Sequence, residues 1–343
     1  MQAAIPVIAL TGYLGAGKTT LLNHVLRTPD ARIGVVINDF GELNVDAALV
    51  TGQVDEPASI AGGCICCLPD DGGLDTALAR LADPKLRLDA IIVEASGLAD
   101  PVALARIIRF SGVDRVRPGG VIDVLDAARH FETVDRDQSP PARYRAASLV
   151  VVNKLDQVAE AGRTALLQRV ADRIHPCNPH ARVIGAQAGR IDPALLYDVS
   201  GGEETGQLSF RELLYQSDAS AHADHHTHTH ADSVTVVTDG CADPDAVIDL
   251  LEQPPAGVYR MKGTITVRYR SATRSYVVNV VGPSVHVAAA AGPRSQGSHL
   301  VAIGMHLDVE AVRSRLRDAL AVTTAAAPAT GIRRIQRYRR LSI

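Results

Sequence analysis

The sequence predicts a doubly wound α/β domain with a mostly parallel sheet, followed by a smaller α+β domain. Three observations predict the first. Apolar runs without alternation read as strands covered on both faces: Ile5–Leu10, Ile33–Asn38, Ala90–Glu94, Gly120–Asp123, Ser148–Asn153 and Arg182–Gly185. Helical patterns lie between them at Lys18–Leu26, Leu74–Leu81, Pro101–Ile108 and Ala159–Ile174, the alternation that parallel strands need. A glycine-rich turn joins the first strand to the first helix.

This pattern is expected to span residues 1–200. Residues 201–231 read as a linker, because the polar stretch Ala221-His-Ala-Asp-His-His-Thr-His-Thr-His230 has no periodicity. Residues 232–320 carry five short strand signals (Ser233–Thr238, Val258–Val267, Ser275–Val281, Ser284–Ala289, His299–Ile303) and helical patterns at Pro244–Glu252 and Val309–Leu320. That is an α+β domain with a mostly antiparallel sheet. Residues 321–343 read as a loose connection and a basic tail. Ile332, Ile335, Tyr338 and Leu341 recur every third residue, so the tail can dock on the second domain as a helix or strand. Contact of its arginines with an acidic partner or nucleic acid is the alternative.

Composition narrows the class. The chain has 343 residues, 46% hydrophobic and 21% charged, enough apolar content for two packed cores. A net charge of −3 gives no overall pull toward nucleic acid or an anionic membrane. No apolar run nears the ~20 residues that span a bilayer. The start lacks the basic region of a secretory signal, so a cytoplasmic protein is expected. Five cysteines, three of them bunched, read as metal ligands or reactive thiols rather than a disulfide framework.

Gly12-Tyr-Leu-Gly-Ala-Gly-Lys-Thr19 fits G-x-x-x-x-G-K-S/T between an apolar strand and an amphipathic helix. Gly12, Gly15 and Gly17 let successive backbone N–H groups face phosphate oxygens, and the helix N-terminus at Thr19 and Thr20 adds its positive dipole end. Lys18 is expected on the β and γ phosphates and the Thr19 hydroxyl on Mg²⁺. Ile91-Ile-Val-Glu94-Ala-Ser-Gly97 ends a strand in a carboxylate, with a glycine three residues on. In such folds the acid, Glu94, holds Mg²⁺ and the glycine, Gly97, senses the γ-phosphate.

Asn153-Lys154-Leu155-Asp156 places N-K-x-D at a strand end. Asp156 can accept from guanine N1–H and its exocyclic amine together, a pairing that adenine does not offer. Asn153 would meet the other edge of the base, and the Lys154 stem would cover the ring. Ala186-Gln-Ala-Gly189 is a further candidate for a backbone contact to the base.

Gly62-Gly63-Cys64-Ile65-Cys66-Cys67 packs three thiols into four positions within a glycine- and proline-rich surround. Thiolates at this density suit a borderline metal, Zn²⁺ first. Two buried cysteines acting as small hydrophobes are the bland alternative.

These motifs occur together and in order with Asn38-Asp-Phe-Gly-Glu42, Glu94-Ala-Ser-Gly-Leu-Ala-Asp-Pro101, Val258-Tyr-Arg-Met-Lys-Gly263 and Leu300-Val-Ala-Ile-Gly304. The chain thereby resembles the CobW-type P-loop GTPases, metal chaperones related to the nickel-inserting GTPases, over nearly its whole length. The resemblance implies a slow GTPase that carries Zn²⁺ (or Co²⁺ or Ni²⁺) to a client metalloprotein. It implies Cys64, Cys66 and Cys67 as metal ligands, with Glu42 and Asp39 nearby. Asp39 stands where that family usually has Glu, one methylene shorter, and the tail is more basic than the family's. The family has branches for different metals, and no motif here assigns the branch.

Residues 38–46 leave the strand after the P-loop helix, where P-loop GTPases keep their first switch, and the cysteines follow. Ordering around the γ-phosphate would move the cysteine loop with it. His222, His225, His226, His228 and His230 are expected to bind metal weakly. The expected partners are a client and, in a homodimer, a second copy, without membrane or nucleic acid. Two rival readings are a nucleotide-gated zinc sensor or buffer, and an ATP-dependent kinase, against which Asn153–Asp156 argues.

Overall fold

A computed structural model describes residues 4–27, 31–37, 58–59, 73–197, 231–269, 272–290 and 297–342. The first sheet comprises β1 (Ile5–Gly12), β2 (Ile33–Ile37), β3 (Ala58–Ser59), β4 (Ala90–Glu94), β5 (Val116–Asp126), β6 (Leu149–Asn153) and β7 (Arg182–Gly185). Its order is β3-β2-β4-β1-β5-β6-β7, and every pairing is parallel. The helices are α1 (Lys18–Leu26), α2 (Gly73–Leu81), α3 (Pro101–Arg109), α4 (His130–Thr133) and α5 (Glu160–Ile174).

Strand alternation explains why β1 is apolar from Ile5 to Leu10. Ile8 and Leu10 join a core with Leu21, Leu22 and Val25 of α1. Val7 and Ala9 point the other way, into a core with Leu78 of α2 and Leu104 of α3. Both faces are covered, so neither set of residues can be polar. Leu22 is fully buried, and its truncation to Ala would cost about 2–5 kcal/mol. α3 starts where it does because Asp100 accepts from Val102 N–H and Pro101 presets the first turn.

The second sheet contains β8 (Asp232–Thr238), β9 (Val258–Tyr269), β10 (Ala272–Val281), β11 (Ser284–Ala289) and β12 (Ser298–Gly304). Its order is β11-β10-β9-β12-β8, antiparallel throughout. Helices α6 (Pro244–Glu252), α7 (Val309–Ala319) and α8 (Ala329–Leu341) accompany it. α8 is the basic tail. Ile335 is fully buried in the second core, and Arg334 meets Asp245, Asp249 and Glu252 of α6 at 3.2, 2.7 and 2.8 Å. The arginine beside Ile335 therefore serves α6.

The two bodies touch. Tyr259, Val281 and Ile303 belong to the same core as Leu149 and Leu195. Tyr259 Oη lies 3.2 Å from Ser148 Oγ, and Arg117 Nη2 donates to Asn279 Oδ1 at 3.3 Å.

One expectation is corrected and one helix is added. β5 begins at Val116 rather than Gly120, because Pro118, Gly119 and Gly120 are carried within the strand across an irregular register with β1. α4 had no counterpart among the expected helices. Among the described residues no helix is long and apolar enough to cross a membrane.

Candidate nucleotide site

β1 sits where the strand order reverses, with β4 on one side and β5 on the other. Crevices outside the C-terminal ends of strands at such a switch point are where open α/β sheets bind ligands. The loop 12–17 leaves β1 there, and α1 begins at Lys18 with Gly17 as its cap at φ 101°. Lys18 is buried and its Nζ donates to the Gly12 carbonyl at 3.2 Å.

β4 brings Glu94 alongside, in register with Leu10. Thr19 Oγ1 donates to Glu94 Oε1 at 2.9 Å, and Glu94 is buried. A hydroxyl and a carboxylate are hard oxygen donors, the chemistry Mg²⁺ selects. Gly97 follows in the loop after β4. A Cβ there would lie 2.7 Å from Leu14 N, so only glycine lets the two loops meet.

β6 delivers the base motif. Asn153 is buried, its Nδ2 donating to the Ala16 carbonyl at 3.1 Å and its Oδ1 accepting from Gly189 N–H at 2.9 Å. Both ends of the amide thus join loops rather than point into open space. The expectation of a simple edge contact to the base omitted this bridge. A Cβ on Gly17 would fall 2.3 Å from Asn153 Nδ2, which explains the glycine. Lys154, at φ 63°, donates through Nζ to Asp126 Oδ2 at 2.7 Å. Burial raises the Asp126 pKa, but the Lys154 hydrogen bond and the Ala128 and Arg129 N–H groups outweigh it, and the net shift is downward. Asp156 lies exposed in a short 3₁₀ turn after β6.

One support was not anticipated. Asp123 is fully buried, accepts from Thr11 Oγ1 at 3.0 Å, and is held by Arg143 at 2.7 and 2.9 Å. Thr11 precedes Gly12, so this bidentate pair braces the start of the phosphate loop. A carboxylate inside the apolar run Val121–Leu125 was the available signal.

Thr20 occupies the first turn of α1, and Gly15 has φ 77°. Asp39, Glu42, Cys64, Cys66, Cys67, His222, His225, His226, His228 and His230 lie outside the described residues. Among the described residues no group of three or more His, Cys, Asp or Glu is arranged to hold a metal ion. His175 and Cys177 are used locally, on the carbonyls of Ala181 and Ile174.

The nucleotide-binding domain of the CobW/HypB/UreG family matches residues 6–185, and the cobalamin synthesis protein cobW C-terminal domain matches residues 231–320. The chain is 30% identical over 351 residues to the zinc chaperone CobW of a Sinorhizobium species, covering 92% of this chain and 97% of that protein. It is 31% identical over 204 residues to the zinc chaperone YjiA of Escherichia coli, covering 57% and 62%. It is 29% identical over 220 residues to the zinc-regulated GTPase metalloprotein activator 1 of Schizosaccharomyces pombe, covering 60% and 52%. The crystal structure of Zn(II)-bound YjiA GTPase from E. coli aligns at 22% identity and a TM-score of 0.42, covering 93% of this chain and 99% of that one.

Proposed function

The chain belongs to the CobW/HypB/UreG family of P-loop GTPases, and on that premise we propose that it couples GTP hydrolysis to handing zinc to a client metalloprotein. The observation that carries the reading is the convergence at one sheet end of the phosphate loop, the Thr19–Glu94 pair and the Asn153-bridged base motif.

GTP and water give GDP and phosphate. The backbone N–H groups of 12–19 and the Lys18 ammonium would bind the phosphates and offset the charge that gathers on the transferring group. Thr19 and Glu94 would hold Mg²⁺, which neutralises phosphate charge when bound. Asp156 would select guanine. Gly97, in contact with Leu14, gives the loop after β4 a route to feel the phosphate end of the nucleotide.

The cargo reading rests on Cys64, Cys66 and Cys67, with Glu42 and Asp39 as neighbours in sequence. Zinc is the first choice, with Co²⁺ or Ni²⁺ as alternatives. The His222–His230 stretch would take up metal weakly. The partner is a client metalloprotein, the setting cytoplasmic, and a homodimer is compatible with the reading.

The test is zinc affinity by chelator competition in the GTP-analogue and GDP forms. The two affinities are expected to differ, and by linkage zinc shifts nucleotide affinity by the same factor. Equal affinities would remove the coupling and leave a zinc-binding GTPase without it.

A further inference from the structure

A cavity of about 210 Å³ lies between the two bodies, away from the nucleotide loops. Leu149, Ile184 and Leu195 wall it from the first body, and Tyr259 and Met305 from the second. His175 and His306, both exposed, stand at its mouth. His306 holds φ 54°, a conformation that costs free energy for a residue with a side chain.

Arg182 also lines this cavity, at the first position of β7 and half-buried. Its Nε and Nη2 both donate to one acceptor, the Val258 carbonyl, at 3.4 and 3.2 Å. A guanidinium offers five donors. Among the described residues no carboxylate pairs with it, unlike Arg143, Arg173 and Arg334. Burial alone lowers its pKa, with no acid to oppose the shift. A half-buried cation without a counter-charge, set in apolar walls, calls for a ligand that is anionic at one end and apolar at the other.

We propose that this interdomain cavity binds a fragment-sized organic carboxylate, its carboxylate on Arg182 and its apolar body against Ile184, Tyr259 and Met305. Such a ligand touches both bodies at once and holds their relative placement. The site is independent of the GTPase reading, since none of its residues belongs to the nucleotide loops.

Benzoate is the probe, titrated by calorimetry into the full chain with its phosphate loop filled by GDP and Mg²⁺, with benzyl alcohol as its neutral counterpart and inorganic phosphate as the compact anion. Benzoate is expected to bind saturably, benzyl alcohol and phosphate each at least about tenfold more weakly. Arg182→Gln is expected to weaken benzoate about tenfold and Arg182→Lys less. Ala171→Phe, on the cavity wall, should abolish binding while GTP turnover stays unchanged. Where Arg182→Gln does not fold, the ligand series and Ala171→Phe decide. The proposal is overturned by absence of saturable benzoate binding up to about 20 mM. It is equally overturned if benzyl alcohol or phosphate matches benzoate, or if Ala171→Phe binds benzoate as wild type does.

Discussion

Thr19 donates its hydroxyl to Glu94 Oε1 at 2.9 Å, although the two residues stand 75 positions apart in the chain. β1 and β4 are neighbours in the sheet, and their register sets Leu10 beside Glu94. Strand pairing thus places Glu94, and the loop 12–17 brings Thr19 back to it at the start of α1.

Glu94→Gln preserves the shape of that pair and removes its charge. GTP turnover is expected to fall at least about 100-fold, with a smaller change in GDP affinity. Phosphate release against GTP concentration checks it, and turnover within tenfold of wild type would take Glu94 out of the site.

Asp156→Asn exchanges an acceptor pair for an amide that donates at one end. Preference for GTP over ATP, read from competition binding, is expected to drop about 100-fold while the phosphate loop keeps its affinity for triphosphate. An unchanged preference would place guanine selection elsewhere.

Asn153→Ala leaves the Ala16 carbonyl and Gly189 N–H without their shared partner in a buried site. Unfolding is expected to cost about 1–3 kcal/mol less, with weaker GTP binding as well. Gly17→Ala should also weaken GTP, since the added Cβ would fall 2.3 Å from Asn153 Nδ2.

Burial lowers the His130 pKa from 6.5 to about 4, despite opposing charges at Asp123 and Asp135. His286 shifts the same way, through burial and then Arg117. The unfolded chain takes these protons near pH 6.5 and the folded chain only near 4. Stability is therefore full above pH 6.5 and declines as pH falls toward 4, by about 2 kcal/mol per histidine at pH 5. Urea unfolding at pH 7 and 5 should show the decline, and His130→Gln should flatten it. A decline of the same size in the variant would reject His130 as its source.

In the tail, Ile335→Ala should cost about 2–4 kcal/mol, because Ile335 is fully buried. Arg334→Gln should cost about 1 kcal/mol or less, since the carboxylates it meets remain part-exposed. Urea midpoints rank the two, and the reverse order would mean that charge rather than packing holds α8.

The phosphate loop and the base motif were legible because each is contiguous: its chemistry sits within eight residues and its context is one strand and one helix. The start of β5 was not, because Pro118, Gly119 and Gly120 carry the signature of a break, while β1 still pairs with Val116, Arg117 and Pro118 before the irregularity and with Val121 after it. The brace of Asp123 and Arg143 was illegible for another reason. It joins side chains 20 positions apart, and no local period marks which arginine folds back onto which acid. The Asn153 bridge shows the same limit: N-K-x-D names the residue, but only the fold places it between Ala16 and Gly189.

The most direct measurement titrates Zn²⁺ into the metal-free, untagged chain with Mg²⁺ and GTP, GDP or ATP, following bound metal and phosphate release together. Wild type and the Cys64→Ala, Cys66→Ala, Cys67→Ala triple variant are run side by side. About one tight zinc is expected to be lost in the variant, and zinc is expected to change GTP turnover in wild type only. Identical GTP turnover with and without zinc, together with wild-type zinc binding by the variant, would contradict it.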